Sequence, residues 1–292
     1  MLVRDAGEFG ALDNVRLVTN GVPEFEPDPA SADTLLMTTL IDDRRVRARD
    51  AAPARYFYLH MALACAATAF LGFAPTYWVP LAHRTFSASP VIHFHGLLFF
   101  TWSLYFVIQT WLAASGRLVN HRSFGIVGVS LATAMVIFGF FASVTSMKNA
   151  AALGQADAGI AFSIVPLSGI AFFAVVFVLA IMNTRRLEIH KRLMLLAAVS
   201  ILDAAIARWF LTFLAPSGPP GPPPVPVTIA PAVVASLLLV VAMVRDWRTE
   251  GRVHPVYIYG TLALLAVKVL NWPVSETAAW HAFAGGILAL AR

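Results

Sequence analysis

One cysteine, Cys65, stands in 292 residues. A lone thiol rules out an intrachain disulfide, a zinc ribbon or an iron–sulfur cluster built by this chain alone, and its place inside an apolar run predicts packing. Charge is scarce too, at 13% of residues. The sequence contains no Walker loop, no nucleophile-elbow pattern and no zincin helix, so hydrolytic chemistry has no positive signal and enzymatic status stays open. Nor does it open with a short basic stretch, an apolar run and a small-residue cleavage site. Targeting is therefore expected to fall to the first apolar helix.

What the chain has in abundance is apolar surface: 59% hydrophobic residues and a mean hydropathy of +0.73, too apolar for a water-soluble domain of this size. About 20 apolar residues cross a hydrocarbon core of roughly 30 Å. Seven such runs occur, near Tyr56–Ala74, Val91–Ala113, Phe124–Met147, Ile160–Met182, Leu193–Ala215, Val227–Val244 and Val256–Trp272. None shows the ten-residue alternation of a membrane β-barrel, and backbone groups in lipid must be satisfied within each segment. The expected fold is an all-α integral membrane bundle of seven transmembrane helices spanning residues 51–292.

Charge is unevenly divided. Residues 1–50 carry ten acidic and six basic side chains, a net of −4, which leaves six acidic and fifteen basic, a net of +9, for the rest. The Pro- and acid-rich first 50 residues cannot bury a core and read as an acidic cytoplasmic tail. Within it Ala32 to Arg49 has the makings of an amphipathic helix that docks a partner or lies on the membrane surface, the alternative being a disordered tether. The juxtamembrane run Arg44–Arg55, Arg117 with Arg122, Arg185–Arg192 and Arg245 with Arg248 and Arg252 make every second connection basic. The positive-inside rule then predicts a cytoplasmic N-terminus and an outward C-terminus. On the outer side lie a Pro-rich loop, 216–226, and a C-terminal segment, 275–291, that is too short to span comfortably and is expected in the interface. The basic excess is accounted for by topology, and no nucleic-acid partner is expected.

Ionisable groups inside a membrane are expensive and point to function by default. Asp203, Arg208 and Lys268 fall inside the fifth and seventh runs and are expected to form an intramembrane polar cluster, as an Asp203–Lys268 ion pair or as the wall of an outward cavity. The histidines divide into two layers. His93 and His95 open the second run at its outer end, about 160° apart on a helix, so that His95, beside Gly96 and on one face with Trp102 and Gln109, is the better metal ligand. His121-Arg122 and His190-Lys191-Arg192 occupy equivalent inner positions, which suggests facing imidazoles able to ligate haem iron or copper. Gly125, Gly128, Ala132 and Gly139 follow His121 along one helix face, making room for a flat macrocycle or a close helix partner. His95 and His121 are 26 residues apart, about 39 Å of helix, so one ion cannot use both layers.

The pattern His93-Phe94-His95-Gly96, Gln109, His121-Arg122-x-x-Gly125 and His190-Lys191-Arg192-x-Met194 resembles bacterial multi-helix membrane families, including the group of the cytochrome oxidase assembly factor CtaM. The resemblance spans about residues 55–290 and leaves the acidic tail unmatched. It implies a multi-pass protein of the bacterial cytoplasmic (inner) membrane that meets haem b or copper, with a role in electron transfer or respiratory oxidase maturation. The b561-type cytochromes also pair histidines between helices, but the fourth run here has none, so a single haem between His121 and His190 is the expectation. Two rival expectations are an accessory subunit that packs on a larger respiratory or other membrane complex and docks a partner through residues 1–50, and a small-molecule transporter using the charged outer cavity.

Overall fold

A computed structural model describes residues 56–215 and 221–291, all helices and connections. The acidic tail and residues 216–220 of the Pro-rich loop lie outside the described residues. Six helices are long and apolar enough to cross a bilayer: α2 (Pro90–Ala114), α3 (Leu118–Ala152), α4 (Ala156–Met182), α5 (Leu187–Leu214), α6 (Val225–Glu250) and α7 (Pro255–Ser275). Ahead of them α1 (Tyr56–Gly72) bends by 40° into a short Ala74–Ala82 segment, and the bent pair counted as one span gives seven. The protein is thus an all-α, multi-pass membrane protein. The bend has a local cause: Pro75 and Pro80 interrupt the hydrogen-bond ladder, and the turn Ala74–Trp78 relaxes to π-helical winding.

Turn chemistry sets the other boundaries. Gly116 takes φ 77° between α2 and α3, and Gly251 takes φ 67° just past the end of α6, a left-handed conformation that glycine adopts without strain. Pro255 opens α7, and His254 caps it by accepting the Val256 N–H at 3.2 Å. The 35 residues of α3 make a rod of about 52 Å, longer than the hydrocarbon is thick. Its far end projects and is met by α8 (Ala278–Leu290), which packs Ala284 and Leu288 on Val144 and Met147. Trp280 donates to the Ile160 carbonyl at 2.9 Å, and Lys148 donates to that of Ala291, also at 2.9 Å. At 13 residues α8 is about 20 Å long, too short to cross.

The core forms around α5, which packs on α4, α6 and α7. Half of its membrane window is buried, against 11% for α2. Leu195, Leu196, Ala197 and Val199 of α5 meet Phe173 and Ala180 of α4, Leu239 and Ala242 of α6, and Tyr257 of α7. Small residues permit close approach: a Cβ on Gly72 of α1 would lie 2.6 Å from both Ala205 Cβ and the Ala205 carbonyl oxygen of α5. Leu97, Val119, Ile126, Val175 and Leu262 are exposed on the outside of the bundle, as a lipid solvent requires.

Candidate cofactor site

Helix entry points bring the inner histidines together. His121 lies in the first turn of α3 and His190 in that of α5, and their ring centroids are 6.4 Å apart with planes inclined at 77°. Each ring is held from behind. His121 Nδ1 faces the Gln109 carbonyl of α2 at 3.3 Å, and His190 Nδ1 faces the Ala180 carbonyl of α4 at 2.8 Å. A carbonyl oxygen only accepts, so each Nδ1 must carry the proton, and Nε2 keeps its lone pair for a ligand.

The ring spacing leaves room for one ion between the two imidazoles. With a metal–nitrogen bond of about 2 Å and about 1 Å from nitrogen to ring centre, two imidazoles that shared one ion would have centroids up to about 6 Å apart. Among the described residues no group of three or more His, Cys, Asp or Glu side chains could hold an ion. Two imidazoles suit an ion whose other ligands come from elsewhere, as the four nitrogens of a tetrapyrrole do. Of the glycine face beyond His121, Gly125 has nothing within 4 Å of an added Cβ, whereas Gly128 is covered by the Tyr105 ring at 2.8 Å and Gly139 by Ile170 at 3.1 Å. Open space therefore lies one turn from His121, and helix packing fills the face deeper in. Tyr105 is fixed there by donating to the Phe124 carbonyl.

Beside this pair is a charged cluster that the sequence did not announce. Arg192 of α5 is fully buried; its Nε and Nη2 donate to Asp246 of α6 at 2.9 and 3.0 Å. Nη2 also donates to Glu250 at 2.7 Å, and Nη1 to the Glu188 carboxylate and, at 3.0 Å, to the Glu188 carbonyl. The guanidinium packs over the Tyr257 ring, whose hydroxyl donates to that of Tyr58 on α1 at 3.2 Å. Through Arg192, α5, α6, α7 and α1 are tied at the level of His190. A guanidinium meeting one carboxylate with two parallel bonds is fixed in direction as well as charge.

At the opposite end the residues disperse. His93 Nδ1 is 3.3 Å from the Tyr77 hydroxyl and its ring meets Phe86, while His95 lies on Phe99, 4.2 Å between centroids. The two histidines face different neighbours. Along the α2 face of His95, its Nδ1, Trp102 Nε1 and both side-chain polar atoms of Gln109 are buried without a hydrogen-bond partner among the described residues. Lys268 Nζ donates to Asp203 Oδ2 at 2.6 Å, a buried ion pair between α7 and α5 at the point where α5 breaks between Ser200 and Asp203. Arg208 does not join it. Its guanidinium sits 5.5 Å over the Phe73 ring and makes no ion pair among the described residues. Comparison with family models, curated proteins and solved structures finds no match for the chain, and the resemblance to the CtaM group draws no support from that side.

Proposed function

We propose that this integral membrane protein holds one haem b between His121 and His190 at the basic end of its bundle, and that it serves electron transfer or the maturation of a respiratory oxidase in a bacterial cytoplasmic membrane. The observation that carries the proposal is the imidazole pair itself: rings 6.4 Å apart, each backed by a main-chain carbonyl from a neighbouring helix. Bound there, haem would supply a one-electron couple. The chain's own part is orientation. The Gln109 and Ala180 carbonyls fix both tautomers and strengthen the imidazoles as donors, and the Arg192 cluster anchors the helix that bears His190. Copper held by the same two imidazoles is the variant of this proposal with the smaller ligand set. By the positive-inside rule the site faces the cytoplasm, and with the bent pair counted as a span the C-terminus faces outward.

The test is the visible spectrum and metal content of the full-length protein purified from membranes. A Soret band with one iron per chain, lost in both H121A and H190A and retained in H95A, is the expected result. Filling the open space beside His121 with G125F should lower haem content while the purified yield holds. Protein free of iron and of a Soret band refutes the haem proposal, and absence of copper as well refutes the metal proposal altogether.

A further inference from the structure

The last turns of α6 combine an apolar wall with a cationic rim. A shallow, open groove of about 370 Å³ runs along one face of this helix, lined by Val240, Val241, Val244, Arg245, Arg248 and Thr249. The valines are exposed, Val241 by 51%, and they belong to the apolar part of a helix that crosses the membrane. One turn on, Trp247 is 63% exposed, the position an indole takes at headgroup depth. The groove therefore straddles the boundary between acyl chains and headgroups. Its two arginines differ. Arg245 is largely buried, stacked over Phe57 at 5.0 Å and engaged with Asp246 at 3.4 Å and Glu250 at 3.9 Å. Arg248 is exposed and makes no ion pair among the described residues. Thr249 donates its hydroxyl proton to the Arg245 carbonyl at 2.9 Å, so the two arginines are the groove's donors.

We infer that this groove seats one anionic phospholipid, with its phosphate at Arg248 and Arg245 and one acyl chain along Val240, Val241 and Val244. An exposed cation with no ion pair among the described residues, next to an apolar helix face, matches the two halves of such a lipid, and a zwitterionic lipid brings its own cation to the same rim. A soluble anion would use the arginines and leave the valines idle.

The experiment is native mass spectrometry of the full-length protein in micelles containing equal amounts of phosphatidylglycerol and phosphatidylcholine. The wild type should retain phosphatidylglycerol preferentially. R248Q removes an exposed, unpaired side chain and should cut that preference about fivefold, the equivalent of ~1 kcal/mol for one basic residue near an anionic surface. R185Q, which removes the same charge from the connection between α4 and α5 and is not part of the groove lining, should leave it unchanged. V241W fills the groove at constant charge and should reduce retention of the lipid. Equal retention of both lipids, or equal losses in R248Q and R185Q, would overturn the site in favour of general surface charge. An unaffected V241W would remove the acyl seat, and displacement by millimolar inorganic phosphate alone would assign the arginines to a free anion.

Discussion

Neutralising Asp203 and Lys268 one at a time and then together should give sharply different results. The pair is closed: Lys268 Nζ donates to Asp203 Oδ2 at 2.6 Å, Lys268 is 2% exposed, and no further ion pair to either is found among the described residues. D203N leaves a buried ammonium with no counter-charge, and K268M a buried carboxylate. Removing one partner of such a pair costs about 3–5 kcal/mol, whereas replacing both is often close to neutral. At about 2–4 °C per kcal/mol for a domain of this size, each single variant should unfold roughly 6–20 °C below the wild type, and D203N/K268M within a few degrees of it. The assay is thermal unfolding of the three variants in one detergent, analysed as a double-mutant cycle. A double variant as unstable as either single one would refute the reasoning, because the two charges would then be serving contacts other than each other.

Helix approach can be tested at two glycines on different terms. G72A sets a methyl group 2.6 Å from the Ala205 backbone and should cost about 1–3 kcal/mol by overpacking, read as lowered thermal stability; G125A, with nothing within 4 Å, should change stability little. His254 lies outside the spans and caps α7 through Nδ1. Partial burial, foremost, and the nearby Arg192 charge hold its imidazole below the ordinary value of 6.5. A base with a lowered folded pKa contributes its stability fully above the unfolded value, and loses it as pH falls through the folded one. Stability should therefore decline as the pH drops below about 6.5, and H254N, which keeps a capping acceptor without the titration, should flatten that slope in unfolding scans at pH 5 to 8.

Hydropathy makes the hydrocarbon-spanning stretches legible, because lipid leaves the backbone no alternative to helix. It says little about where a helix continues into polar residues. The fifth run read from Leu193 and the sixth to Val244, yet α5 begins at Leu187 and α6 runs to Glu250. Arg192 and Asp246, which look like parts of two basic loops, thus stand on facing helix ends and form the buried salt bridge. Two prolines near the end of the first run carried the signal for its bend. The Asp203–Lys268 pairing follows from the cost of lone charge in lipid. Arg208 was grouped with them by proximity in sequence, but five residues along a helix turn its side chain about 140° from Asp203, toward Phe73. The equivalent helix-entry positions of His121 and His190 were visible as repeated histidine–basic pairs. The carbonyls behind them belong to two other helices, and no spacing in the chain reports that.

The central claim, a haem between two imidazoles, is tested most directly by electron paramagnetic resonance of the oxidised, full-length protein. If His121 and His190 together hold the haem, the wild type should give the low-spin ferric signal of two strong nitrogen ligands, absent in H121A and H190A. A high-spin signal, or no haem signal at all, would contradict it.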